Sequence, residues 1–250
     1  MHRFVVSPEN VHGSTIHVTD PRELHHIRHV LRLGIGQRVT CLDGQGRGYV
    51  GVIDRVAPER LDVRIEQRLD RPVSAAPLWL VQALVKGERF EWLLQKATEL
   101  GVARMSPVST RHAVVRIAQA QRTAKLERWR RIAQEAAKQC GALSVPAVDP
   151  VQPFDRAVES LGDAAWVLMP TLAVTAIPLR QVVEQLQREA PPAAGRPVAI
   201  LVGPEGDFDA DEVALAERFG ARPVSLGPLT LRSETAAVAS LAMLQYALGA

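Results

Sequence analysis

The chain is poor in cysteine, aromatic residues and lysine, and each shortage excludes something. Only two of its 250 residues, Cys41 and Cys140, are cysteine. They are far apart in sequence, so neither a disulfide framework nor a cysteine-based zinc site is credible, and a reducing, cytoplasmic setting is expected. Aromatic residues make up 4% of the chain. No apolar run approaches the roughly 18 residues that a membrane-spanning helix requires. The opening Met1-His-Arg-Phe-Val-Val-Ser-Pro also has no signal-peptide core. Of 30 basic residues only Lys86, Lys96, Lys125 and Lys138 are lysine. Arginine is the better fork for phosphates and base edges, although a GC-rich genome explains that excess by itself.

The remaining composition describes a globular protein. Apolar residues make up 47% and charged residues 23%, enough to bury a core in one large or two modest domains. The formal charge is only +3, but it is unevenly spread. Residues 104–138 hold nine Lys/Arg against Glu127 and Glu135, while residues 139–250 hold seven against thirteen acids. The basic stretch is therefore expected to face a polyanion.

Residues 1–72 read as a small β-rich domain. Short strands are expected at Arg3–Val6 and Thr15–Val18. Alternating apolar and polar residues predict further strands at Gln37–Leu42, Gly48–Ile53 and Leu61–Ile65, with Asp43-Gly-Gln-Gly46 as a turn. Many short strands suit a compact barrel. Asp20-Pro21 opens a helix whose apolar face is Leu24, Ile27, Val30 and Leu31. His25 and His29 are an i,i+4 pair, but no acid completes a zinc motif, so no metal is expected. Exposed histidines touching RNA beside Arg28 and Arg32 are the preferred reading.

A linker of proline and small residues spans 70–77, and residues 73–250 form the second domain. Strands at Leu78–Val85, Val102–Val108 (stopped by Pro107), Ala165–Met169 and Val198–Val202 alternate with helices. The helices are expected over Glu88–Leu100, Thr123–Cys140, Pro178–Glu189 and Glu234–Leu248. That alternation predicts an α/β fold with a mostly parallel sheet covered on both faces. In the helix over Thr123–Cys140 the inward face should be Leu126, Trp129, Ala133, Ala136, Ala137 and Cys140.

Two loops carry the chemistry. The strand Val198–Val202 breaks at Gly203-Pro-Glu-Gly206, after which Asp209 and Glu212 have capping-box spacing. A further short strand passes through Gly227-Pro228 to Leu231-Arg-Ser-Glu-Thr235 and into an apolar helix. Ligands of open α/β sheets bind at such carboxyl ends. The first loop lacks a phosphate-loop ending and carries Glu205 and Asp207, which would repel phosphate. A cationic or neutral ligand with an adenine, held by backbone groups, fits better. In the other loop Ser233 reads as an N-cap and Glu234 as a first-turn acid. Arg232 opposes the helix dipole, so a functional role is preferred for it.

Together these segments resemble the RsmE family of small-subunit ribosomal RNA (uridine-N3)-methyltransferases in the SPOUT superfamily. The matching pieces are Arg3-Phe4, His26-Ile-Arg-His-Val-Leu-Arg32, Lys86–Val102 with Lys96-Ala-Thr-Glu-Leu-Gly101, Glu127–Ala137, Leu201-Val-Gly-Pro-Glu-Gly206 and Leu226–Ala236. The resemblance implies an N-terminal PUA-like barrel for RNA, a C-terminal SPOUT domain with a deep trefoil knot, and a homodimer. It implies S-adenosylmethionine as cofactor, whose sulfonium is cationic. The cofactor would lie against Pro170, Thr171, Leu201, Val202, Gly203, Pro204, Glu205, Gly206, Leu226, Gly227, Leu229 and Leu231. Arg232 is then expected to stabilise the developing base anion or to hold a phosphate, and Glu234 to be a possible general base, with helix capping preferred as its job. RNA backbone would be held by Arg3, Arg28, Arg32, Arg104, Arg111, Arg116, Arg122 and Arg128, on ribosomal RNA or the small subunit. Alternatives are another RNA target, or an assembly factor that binds RNA without catalysis. Two positions depart from the family pattern. Asp207 stands where a second glycine is usual, and is tolerable if it points outward. Ala142 stands where an arginine is usual, and no role is assigned there.

Overall fold

A computed structural model describes residues 2–70, 76–111, 115, 117–173 and 175–249. Most of the expected linker, residues 71–75, lies outside the described residues. The chain divides into two compact units, Met1–Pro72 with Gln134–Val145, and Val73–Ala133 with Pro146–Ala250.

The first unit contains strands β1 (His2–Val5), β2 (Val11–His12), β3 (Thr15–Val18), β4 (Arg38–Leu42), β5 (Arg47–Ala57) and β6 (Arg60–Asp70). They form one mixed sheet in the order β1-β4-β5-β6-β3-β2. Only β1–β4 is a parallel pair; the others are antiparallel. Alternation along these strands buries Phe4, Ile16, Val39, Ile53, Leu61 and Val63 in a common core. The Asp43 carboxylate accepts from the amides of Gln45 and Arg47 at 2.8 and 2.9 Å, which closes the expected turn.

Helix α1 (Pro21–His25) begins as its sequence requires: the Asp20 side chain caps the amides of Arg22 and Glu23. It then widens into a π-helical turn over His26–Val30, in which Leu31 N–H reaches the His26 carbonyl. The extra residue in that turn rotates the end of the segment. Leu24 and Ile27 stay buried, whereas Val30, expected on the same face, is 61% exposed.

The second unit contains β7 (Leu78–Ala83), α2 (Arg89–Glu99), β8 (Arg104–Ser109), α3 (Gln119–Cys140), β9 (Ala147–Val148), β10 (Gln152–Pro153), α4 (Phe154–Glu159), β11 (Trp166–Pro170), β12 (Ile177–Pro178), α5 (Leu179–Glu189), β13 (Val198–Val202), α6 (Ala210–Arg218), β14 (Ala221–Ser225) and α7 (Ser233–Leu248). The last part of α3 belongs to the first unit. The strands form an all-parallel sheet, ordered β10-β8-β7-β13-β11-β14-β12, with β9 also paired to β8. Every residue of β7, β11 and β13 is buried, as a sheet covered on both faces demands.

Two further expectations are corrected by the structure. Pro107 does not stop its strand but lies inside β8, opposite Gln82. The partner strand on the other side is interrupted between Val148 and Gln152, so the missing N–H deprives no ladder. Cys140 is exposed rather than on the inward face of α3, because the helix ends there. Helix α4, short and bounded by proline, has no counterpart among the expected helices; it buries Phe154, Ala157 and Val158.

Candidate functional site

Three neighbouring strands, β13, β11 and β14, end side by side, and a cavity of about 290 Å³ opens at their carboxyl ends. Its walls come from three loops: Pro170–Ala173 after β11, Val202–Asp207 after β13 and Ser225–Leu231 after β14. Ligands of open α/β sheets bind at such a place. Ten of the twelve expected cofactor positions line it: Pro170, Thr171, Val202, Gly203, Pro204, Glu205, Leu226, Gly227, Leu229 and Leu231. Leu201 does not; it is fully buried inside β13. Gly206 is exposed and outside the lining. Glu205 and Asp207 are the charged side chains in the wall, and among the described residues no basic one lines it.

The loop after β13 is held tightly. A Cβ on Gly203 would meet Asp207 Oδ1 and Phe208 N at 3.2 Å, closer than ordinary contact, so only glycine fits without a shift. Asp209 caps α6 in a complete capping box with Glu212. Asp207 does not point outward. Its Oδ2 accepts from Thr171 Oγ1 and the Leu172 amide, both at 2.8 Å, and its Oδ1 from the Phe208 amide at 2.8 Å.

The expected cap of α7 is also different. Arg232 occupies the N-cap position and Ser233 the first helical turn. The Ser233 hydroxyl donates to the Gly203 carbonyl at 2.5 Å and accepts from Gln82 Nε2 at 2.8 Å. Gln82 is fully buried in β7. Hydrophobic pattern places Gln82 only within a buried strand; a polar side chain among apolar neighbours is the signal that marks it. Glu234 is buried, with Arg89 Nε 3.8 Å from one oxygen and no hydrogen-bond partner for the other among the described residues. Arg89 also lies 3.7 Å from Glu205. Arg232 is exposed, and among the described residues its guanidinium has no ion pair or hydrogen bond.

The arginines expected to hold RNA are mostly engaged elsewhere. Arg3 donates to the carbonyls of Lys138 and Gln139. Arg28 is bonded to the carbonyls of Ala57 and Pro58. Arg104 stacks 4.2 Å over the Trp79 ring and bonds Asp149. Arg111 pairs with Asp209 and Asp211, and Arg128 with Glu91. Arg122 makes one long bond, to the Ile117 carbonyl. Arg32 is exposed at φ 54°, and Arg116 lies outside the described residues. The acids that pair with Arg104, Arg111 and Arg128 come from distant segments, which a count along the sequence cannot see. The His25 and His29 rings lie 4.9 Å apart, tilted by 35°, and among the described residues no three His, Cys, Asp or Glu are grouped to hold a metal.

A parallel α/β sheet with a glycine-loop cavity at its carboxyl edge, preceded by a small mixed β unit, matches two family models. They are an RNA methyltransferase domain over residues 72–245 and an RNA methyltransferase PUA domain over residues 18–66. The chain is 31% identical over 245 residues to ribosomal RNA small subunit methyltransferase E of Synechocystis, covering 97% of this chain and 77% of that one. It is 28% identical to the protein of the same name in Bacillus subtilis, covering 90% and 87%. The crystal structure of ribosomal RNA small subunit methyltransferase E from Neisseria gonorrhoeae, bound to S-adenosyl methionine, superposes with a TM-score of 0.83. It shares 28% identity and covers 98% of this chain and 97% of that one. The chain therefore belongs to the RsmE family of ribosomal RNA small-subunit methyltransferases, with PUA and SPOUT-type methyltransferase domains. Among the described residues no helix is long and apolar enough to cross a membrane.

Proposed function

We propose that this chain transfers a methyl group from S-adenosylmethionine to N-3 of a uridine in small-subunit ribosomal RNA. The observation that carries this reading is the wall of the cavity: backbone-rich glycine–proline loops, two carboxylates and, among the described residues, no basic side chain. Such a wall disfavours phosphate-bearing cofactors and suits a cation. Its volume is near the lower end of small-molecule sites, roughly 300–1,000 Å³. The bound structure of the Neisseria relative supports the same cofactor.

When bound, S-adenosylmethionine supplies an electrophilic methyl group. The protein's part is to hold the uracil edge and manage its proton. The N-3 proton must leave before or during attack, and the resulting negative charge spreads onto the base carbonyl oxygens. Arg232, next to the cavity-lining Leu231 and Ser233 and without an acidic partner among the described residues, is assigned here to stabilise that charge. Glu234 is the proton acceptor in this reading: one of its carboxylate oxygens is buried and unbonded, the other is oriented by Arg89. Gln82 and Ser233 fix the start of α7, and so the position of both groups.

The domain division at residues 72/73 belongs to this reading, supported by the extents of the two family models, and so does the trefoil knot that the family resemblance implies. A homodimer also belongs to it. Trp92, Met243 and Tyr246 are exposed on the packed helices α2 and α7, and Tyr246 is 91% exposed, apolar surface that a second copy would cover. RNA contacts are assigned separately to Arg32 in the first unit and to Arg122, Lys125 and Arg131 in the second, each exposed without an acidic partner among the described residues.

The test is transfer of labelled methyl to small ribosomal subunits from a strain lacking this gene, followed by mapping of the modified base. Label at N-3 of a uridine is expected. Transfer to another base or RNA would replace the substrate. Absence of both cofactor binding and transfer would leave a non-catalytic assembly factor.

A further inference from the structure

We infer that Asp207 is a positioning residue: its carboxylate locks the loop after β11 to the loop after β13 and so sets the shape of the cavity wall. The inference rests on the cavity being the cofactor site. It goes further in naming a residue that the capping pattern and the glycine–proline loops do not account for.

Asp207 has a backbone φ of 62°, in the left-handed region that glycine adopts most readily. Its amide closes a turn onto the Pro204 carbonyl at 3.0 Å, a bond that glycine would make equally well. It does not cap α6, because Asp209 does that. The side chain adds a set of bonds between separate segments. One oxygen takes both the Thr171 hydroxyl and the Leu172 amide, 36 and 35 residues away in sequence. The other turns back to the Phe208 amide. Thr171, Leu172, Gly203 and Asp207 all line the cavity, so the link crosses the wall itself. Bonds to an ionised acceptor are the stronger kind. Among the described residues, what then remains on the Thr171–Leu172 segment is the Thr171 amide bond to the Val224 carbonyl and a long bond from the Ala173 amide to the Thr171 hydroxyl. A loop that must be ordered during binding lowers affinity, and one already ordered does not.

The experiment measures two quantities on the full-length protein with Asp207→Gly, Asp207→Asn and wild type. One is hydrogen exchange at the Leu172 amide without ligand; the other is calorimetric affinity for S-adenosylmethionine. Glycine accepts the backbone angle, so Asp207→Gly should fold with a thermal midpoint close to wild type. We expect it to lose protection at Leu172 and to bind cofactor about tenfold to a hundredfold more weakly, as the loss of one or two charge-assisted bonds implies. Asp207→Asn should recover part of both, since its amide oxygen can still accept from Thr171 and Leu172. Unchanged Leu172 protection in Asp207→Gly would overturn the lock, whatever the affinity does. Lost protection with unchanged affinity would overturn its role in binding. If wild-type protein binds no cofactor while Leu172 protection still depends on Asp207, the cofactor reading fails and the lock stands.

Discussion

Residues 104–138 and the loops around the cavity are two charged regions with opposite fates. The basic stretch is dense in cations, yet Arg104, Arg111, Arg128 and Lys138 are all paired with acids. Next to the cavity, among the described residues, Arg232 has no acidic partner, and Glu234, in α7 and 3.8 Å from Arg89, keeps one buried oxygen without a bond. In the proposed function, charge left unpaired by the fold, rather than charge density along the sequence, marks the chemistry. A paired surface arginine is largely spent on local structure and contributes little to stability.

The sharpest way to break this contrast is at the best-paired cation. Lys138 is buried between Glu23 and Glu135, at 2.9 and 2.8 Å. Lys138→Met would strand a Glu23 carboxylate that already has one unbonded oxygen, and should destabilise the protein by about 3 kcal/mol. Chemical denaturation measures this, and an unchanged midpoint would mean the pair is not structural. Burial lowers the Lys138 pKa, but hydrogen bonds to Glu135 and Glu23 outweigh it and raise the value above its ordinary 10.5. Because the folded value is the higher one, the stabilisation is complete below the ordinary value and disappears as pH rises through the folded one. Wild-type stability should therefore fall faster above pH 10.5 than that of Lys138→Met.

A smaller effect on stability, but not on binding, is expected at Gly203. Gly203→Ala pushes a methyl against Asp207 and Phe208 N and should weaken cofactor binding roughly tenfold, the value of about one charge-assisted bond. Calorimetry reads it directly, and wild-type affinity would show that the loop gives way easily. The smallest effect should come from the unpaired cations of α3. Arg122→Ala, Lys125→Ala and Arg131→Ala should each reduce the salt dependence of RNA binding by about one phosphate contact. The same change at Arg128, already bonded to Glu91, should alter that slope less.

Much of the architecture is legible because it comes from period and punctuation. The capping box at Asp209 and Glu212, the cap at Asp20 and the apolar strands Leu78–Ala83 and Val198–Val202 are all local signals that the fold keeps. The misreadings mostly share a cause, a partner distant in sequence. Ser233 reads as a cap until Gln82 and Gly203 are brought to it. Asp207 reads as tolerable on the condition that it points outward, and Thr171, distant in sequence, turns it inward. Pro107 reads as a strand end because the interruption between β9 and β10 that tolerates it is invisible locally. Val30 differs: it reads as core until a π-turn, which leaves no mark in hydrophobic period, rotates it outward.

The most direct measurement compares methyl transfer from S-adenosylmethionine to small ribosomal subunits by Arg232→Ala and Arg128→Ala, with cofactor affinity and thermal midpoint recorded for each. Arg232→Ala should lose activity about a hundredfold while still folding and binding cofactor, as removal of a transition-state donor does. Arg128→Ala should remain within a few-fold of wild type. Equal losses in the two variants, or a loss in Arg232→Ala that merely tracks its stability, would contradict the division between paired and unpaired charge.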